Sequence, residues 1–215
     1  MSYRYYLFDL DGTLTDPGEG ITNSVMYALK KSGIDPPEHR ELYKFIGPPL
    51  LESFQKYYGL SREDALAAVE YYREYFRPKG ILENRLYDKI PEALAELKAR
   101  GKVIALATSK PEEFAVTILK HFGLYPYFDF IGAATMDGSR VQKSDIIAFV
   151  LEGLGVADRS EVVMIGDRKH DILGAAANGI ASAGVLYGYG DYEELSEAGA
   201  DHIIHRPEEL PGIAR

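Results

Sequence analysis

The chain has 215 residues, no cysteine and a formal net charge of −9, so disulfides, thiolate catalysis and Cys-ligated zinc are excluded. Such an acidic chain is a poor bulk match for nucleic acid or an anionic membrane, and no apolar run approaches the ~20 residues that span a bilayer. The N-terminus, Met-Ser-Tyr-Arg-Tyr-Tyr-Leu-Phe-Asp, carries no basic-then-apolar leader, so the expected location is cytoplasmic.

The first element is Arg4–Leu10, a short apolar run with little polar alternation, as in a strand buried on both faces. It ends in Asp9-Leu10-Asp11-Gly12-Thr13. About ninety residues separate it from the next strand candidate, Val103–Thr108, far more than one crossover needs. Most of that interval reads as helical. Gly20–Ser32 is one segment. Ser61-Arg-Glu-Asp64 resembles a capping box with Asp in place of Glu or Gln, and it leads into a helix with Leu66, Val69, Tyr72 and Phe76 on one face. A helical insert is therefore expected at 16–81, within a core made of 1–15 and 82–215.

Pro91 suits the first turn of the next helix and Gly101 its end. After Val103–Thr108 comes Ser109-Lys110, then Pro111 opens a helix that Gly123 stops. Phe128–Ala133 is a third strand. Ile146, Ile147, Val150, Leu151 and Leu154 form a helical stripe that Gly155 terminates. Val162–Ile165 is followed by Gly166-Asp167, a helix begins near Arg168 and stops at Gly179, and Ala181–Leu186 is the last strand read. Alternating strands and helices predict an α/β fold with a doubly wound, Rossmann-like parallel sheet and an inserted all-helical domain.

In open α/β sheets, ligands bind beyond the carboxyl ends of the strands. That edge collects Asp9, Asp11, Thr108, Ser109 and Asp167, with Asp171 one helical turn on and Lys143 ahead of the helix into strand four. Carboxylates alone repel a phosphate dianion, so a hard cation has to sit among them. Mg²⁺ takes oxygen ligands: Asp9 and Asp167 offer carboxylates, and Asp11 its backbone carbonyl. Asp9 suits in-line attack on phosphorus to give an aspartyl-phosphate. Asp11 suits protonation of the leaving oxygen, then deprotonation of the attacking water. Thr108, Ser109 and nearby amides suit phosphoryl oxygens, and Lys143 offsets equatorial charge. Asp171 would orient metal-bound water or Lys143. Each residue alone has a plainer reading, since Asp-Gly is ordinary turn chemistry and Asp171 a favoured first-turn carboxylate. Placement and order give the set its weight.

The set resembles the haloacid dehalogenase superfamily. Asp-Leu-Asp-Gly-Thr (9–13) is similar to its first motif, Thr108 to its second, Lys143 to its third and Gly-Asp-Arg-Lys-His-Asp (166–171) to its fourth. The insert at 16–81 lies where that superfamily places a helical type-1 cap. Gly47-Pro48-Pro49 and Gly188-Tyr189-Gly190 resemble features of its phosphoglycolate-phosphatase-like branch. The resemblance implies a Mg²⁺-dependent phosphatase with metal ligands Asp9, Asp11 and Asp167. The implied substrate is a small phosphorylated metabolite, such as phosphoglycolate, a nucleoside monophosphate or a sugar phosphate. No nucleic-acid or membrane partner is expected of so acidic a chain, and a monomer or weak homodimer is expected. Asp11 argues against a dehalogenase, whose branch lacks the second carboxylate. Two departures stand out: Ser144 follows Lys143 where proline is frequent, and Arg168, Lys169 and His170 replace uncharged residues. The alternatives are a phosphonate-cleaving enzyme using Lys30, Lys31, Lys44 or Lys56, a sugar-phosphate mutase, and a non-catalytic binding protein of the fold.

Overall fold

Four consecutive buried residues, Tyr5–Phe8, form strand β1. A run with no polar side must be covered on both faces, and β1 lies inside a six-stranded sheet. The computed structural model describes residues 2–214. The chain continues through β2 (Thr15–Asp16), α1 (Gly18–Lys31), α2 (Leu50–Tyr58), α3 (Arg62–Tyr75), β3 (Arg85–Leu86) and α4 (Ile90–Ala99). It then alternates β4 (Val103–Pro111), α5 (Glu112–His121), β5 (Phe130–Ala134), α6 (Lys143–Gly153), β6 (Val162–Gly166), α7 (Lys169–Ala177), β7 (Ala181–Val185), α8 (Tyr192–Glu197) and β8 (His202–Ile204).

The large sheet has the order β5-β4-β1-β6-β7-β8, and each pairing is parallel. This is the doubly wound α/β architecture read from the sequence. Tyr5 aligns with Val103 on one side and Val162 on the other. The winding reverses at β1, which opens a crevice beyond its carboxyl end. The predicted stripe on α6 packs as expected: Ile146, Ile147, Val150 and Leu151 join Leu7, Ala105, Ala107 and Met164 in one buried cluster. Burial of each such side chain stabilises the fold by roughly 1.5–3 kcal/mol. That packing fixes where α6 starts, and hence where Lys143 sits.

The chain forms two compact units. One runs to Asp16 and resumes at Leu86; the other is Pro17–Arg85. The helical unit therefore extends past residue 81. Glu83 is tied within it: its carbonyl accepts from Gly20 N at 3.0 Å, and its carboxylate accepts from Asn23 at 2.9 Å and Tyr75 at 3.1 Å. Ser61 caps α3 by accepting from Asp64 N at 3.1 Å. The buried face of α3 is Ala65, Ala68, Val69 and Tyr72. Leu66, placed on that face by the sequence pattern, is 48% exposed. Pro49 immediately precedes α2 and opens that helix. Among the described residues, no helix is long and apolar enough to cross a membrane.

Candidate active site

The carboxyl ends of β1, β4 and β6 bring four carboxylates and two ammonium groups together. Asp9 follows β1 directly and its N–H still pairs with Ile165 O at 2.9 Å. The Asp9 carboxylate is nearly fully buried. Its Oδ1 accepts from Leu10 N at 2.7 Å and forms an ion pair with Lys143 Nζ at 3.0 Å. The chain then turns tightly: Leu14 N donates to Leu10 O at 2.9 Å and Gly12 N to Thr15 O at 2.8 Å. Gly12 has φ 82°, and a Cβ there would collide with the Asp167 carboxylate. Only glycine meets both demands.

Lys143 is the first residue of α6 rather than a residue ahead of it. Its Nζ reaches Ala107 O at 2.9 Å, Asp9 Oδ1 at 3.0 Å and Asp171 Oδ1 at 2.7 Å. The ammonium thus donates to one carbonyl and is ion-paired with two carboxylates. Burial works against the charge on Lys143, but Asp171 and Asp9 outweigh it and raise the pKa above the ordinary lysine value. Asp171 also accepts from Arg168 N at 3.1 Å, which caps α7. Its pKa is pushed up to about 6 by burial, against the pull of Lys143 and with the charge of Asp9 adding to the rise.

Asp167 ends β6 and is fully buried. Its Oδ2 accepts from Tyr189 N at 2.8 Å and its Oδ1 from Thr13 Oγ1 at 3.4 Å. Burial, then the charges of Asp171 and Asp9, hold its pKa well above the carboxylate range. The Gly188-Tyr189-Gly190 loop thus serves Asp167. Tyr189 also donates its hydroxyl to Asp16.

Thr108 is buried at the end of β4, and its Oγ1 accepts from Lys110 N at 3.3 Å. The Ser109 hydroxyl does not join the cluster; it donates to Val141 O at 3.1 Å. The regular pairing of β4 with β5 breaks between Thr108 and Pro111, and in this irregular stretch Thr108 and Lys110 are buried while Ser109 is only half-buried. The sequence reading gave Lys110 no role. Yet it is buried, and its Nζ lies 2.5 Å from Asp11 Oδ2. No sequence signal marks it, because the strand is irregular there. Burial raises the Asp11 pKa, while Lys110 pulls it down through charge and hydrogen bond. The other oxygen, Asp11 Oδ1, is buried and has no hydrogen-bond partner among the described residues.

Arg168 and Lys169, two of the departures from the family pattern, both contact Glu194, Arg168 by its side chain and Lys169 by its backbone N–H. Arg168 Nε and Lys169 N both donate to Glu194 Oε1 at 2.9 Å. His170 is half-buried, and desolvation, then the charges of Arg168 and Lys169, lower its pKa.

Ligand oxygens of Asp9, Asp167 and Asp171 lie within 4.8 Å of one another. The donors are all carboxylates, the chemistry of a hard divalent cation. Four buried carboxylates also face only two buried lysines. A cation there would relieve the repulsion that raises Asp167 and Asp171, so the residues present fit one. The third carboxylate in this group is Asp171, whereas the Asp11 side chain is turned to Lys110.

A parallel sheet with this carboxylate edge defines a class. The haloacid dehalogenase-like hydrolase family model matches residues 6–185, and the chain belongs to that family. Among individual proteins, a 5'-nucleotidase from Pseudomonas aeruginosa is 49% identical over 195 residues, covering 91% of this chain and 88% of that protein. The tyrosine-protein kinase PtkA of Mycobacterium tuberculosis is 40% identical, covering 95% of this chain and 69% of its own length. A solved structure described as a predicted phosphatase from Clostridium acetobutylicum has TM-score 0.95 and 47% identity, covering 99% of this chain and 98% of that one.

Proposed function

We propose that the protein is a Mg²⁺-dependent phosphatase that hydrolyses a small phosphate monoester through an aspartyl-phosphate on Asp9. The observation that carries this reading is the pairing of Asp9 and Asp11 at one strand end, each held by its own buried lysine. Asp9 Oδ1 is committed to Leu10 N and Lys143, which leaves Oδ2 to attack phosphorus. As the new O–P bond forms, the ester O–P bond breaks, and its electron pair leaves with the ester oxygen. Asp11 gives that oxygen its proton. Water then attacks the phosphoryl group, Asp11 takes the proton back, and Asp9 is released as a carboxylate.

Asp9 and Asp167 would hold Mg²⁺, with the Asp11 carbonyl as a further oxygen and Asp171 adjoining. When bound, the ion supplies charge neutralisation and orientation of the phosphoryl oxygens. Lys143 and Thr108 contribute positive charge and a hydroxyl for those oxygens. Asp171 positions Lys143, as the 2.7 Å ion pair supports. Ser109 would take part through its backbone, because its hydroxyl is spent on Val141.

The identity to a protein named 5'-nucleotidase puts nucleoside 5'-monophosphates first among substrates, ahead of phosphoglycolate and sugar phosphates. A net charge of −9 favours a small metabolite over a polyanion. The similarity to a protein named tyrosine-protein kinase supports a second reading, in which an acceptor hydroxyl replaces water at Asp9.

The test is hydrolysis of p-nitrophenyl phosphate with and without Mg²⁺, followed by a screen of phosphorylated metabolites. Turnover is expected only with metal, and Asp9→Asn is expected to lower kcat by at least about 10³-fold. An Asp9→Asn variant as active as the parent would sink the mechanism. Phosphoryl groups recovered on an added alcohol or tyrosine peptide, rather than as inorganic phosphate, would favour the second reading.

A further inference from the structure

A lysine ammonium donates hydrogen bonds and accepts none. Lys110 Nζ occupies Asp11 Oδ2 at 2.5 Å, so Oδ2 faces a donor and has to act as an acceptor. When Asp11 carries a proton, that proton belongs on Oδ1. This is the buried oxygen that no described residue engages. Lys110 is itself buried, on the strand end that carries Thr108. It lies where β4 departs from its regular pairing with β5, and its N–H is tied to Thr108 Oγ1 at 3.3 Å.

We propose that Lys110 is a positioning residue for proton transfer: it fixes the Asp11 carboxyl so that Oδ1, and not Oδ2, carries the proton to the leaving oxygen. This deepens the function proposed above and rests on it. Lys110 keeps its three protons throughout. The proton leaves Asp11 Oδ1 for the ester oxygen as the O–P bond breaks, and Asp11 remains as a carboxylate against the ammonium. Without Lys110, either oxygen of Asp11 is free to hold the proton and the side chain is free to rotate.

The prediction concerns leaving groups. p-Nitrophenolate departs from phosphorus without a proton, whereas an alkoxide needs one. kcat/KM reports the first phosphoryl transfer, so it isolates the acid step from the later attack of water. The experiment compares kcat/KM on p-nitrophenyl phosphate and on the best alkyl phosphate from the metabolite screen, with Mg²⁺ present. Lys110→Met is expected to depress the alkyl value at least about 10-fold more than the aryl value, as loss of an aligned general acid requires. Lys110→Arg, which keeps the charge, is expected to recover most of that difference. If Lys110→Met does not fold, Lys110→Gln supplies the same comparison.

An equal fall on both esters would overturn the inference, because a phosphate anchor or a merely structural lysine acts on both alike. Unchanged values on both would overturn it too. Failure of the underlying function has a different signature: wild-type protein then turns over neither ester, and the inference falls with it.

Discussion

At Gly166 the side chain is a single hydrogen, and the Asp171 carboxyl occupies the space a Cβ would need. Asp171 cannot swing aside, because Lys143 and Arg168 N hold it from two directions. Gly166→Ala is therefore expected to cost about 1–3 kcal/mol in urea unfolding, as overpacking of a tight site does. It should also lower kcat on p-nitrophenyl phosphate more than about 10-fold, since a displacement of about 1 Å is enough for that. Wild-type kcat in a correctly folded variant would show that the place of Asp171 does not matter. At this scale the sequence was informative about residue types and weaker about partners. Asp9, Asp11, Thr108, Lys143, Asp167 and Asp171 were legible because each follows a strand end or opens a helix. Ser109 and Lys110 were not sorted, because β4 departs from regular pairing between Thr108 and Pro111. The Lys110–Asp11 contact spans 99 positions in the chain, and no local pattern reports it.

Helix α6 is the element on which Lys143 depends. Its only polar anchor in the site is at its first residue, so the buried stripe behind must hold the helix in place. Ile147 is fully buried in the cluster with Leu7 and Met164. Ile147→Ala is expected to destabilise the fold by about 2–5 kcal/mol. It should reduce activity less than Gly166→Ala does, because the loss is in packing and not at a reacting group. Equilibrium unfolding and kinetics on the same sample check both halves; a loss below about 0.5 kcal/mol, the scale of a surface change, would mean that α6 is not held by this face. Elements with strong periodicity, such as α6 and α3, were legible. Short ones were not. The strand β8 has three residues between Asp201 and His205, and at the edge of the sheet it shows no continuous apolar run. The helix α2 follows two prolines, which signal a helix end as readily as a start. Leu66 was misplaced because its neighbours Ala65 and Ala68, small enough to escape notice, form the true inner face of α3.

For the whole molecule, the buried carboxylates make stability depend on both metal and pH. Asp171 stands at about 6 against an ordinary 3.8, and Asp167 is also raised. A carboxyl raised on folding contributes stability that is full below its unfolded pKa and is lost as pH rises through its folded pKa. Metal-free protein is therefore expected to lose stability as pH rises through about 6. If the cluster holds Mg²⁺ as proposed, the ion would bind the ionised forms, so its stabilising effect should grow over the same range. At 100 times Kd the gain is about 2.7 kcal/mol, or roughly 5–10 °C in Tm for a chain of this size. A thermal-shift series with and without Mg²⁺ should show that shift near about pH 8 and a clearly smaller one near about pH 5. Equal shifts at both would mean the cation is not held by these carboxylates.

The place of β1 in the sheet also sets an order in time. It precedes both of its neighbours in the chain, whose register partners begin at Val103 and Val162. During synthesis, Pro17–Arg85 emerges complete while the strand carrying Asp9 still has no partner. Pairings this distant in sequence close late, and an apolar strand left waiting is the region most exposed to misassembly. Asp9 and Asp167, the proposed nucleophile and metal-binding carboxylate, meet only once β6 has been added, and Tyr189 reaches Asp167 later still. The proposed site is thus completed late in synthesis, because a chain interrupted before Tyr189 lacks the amide that holds the Asp167 carboxylate.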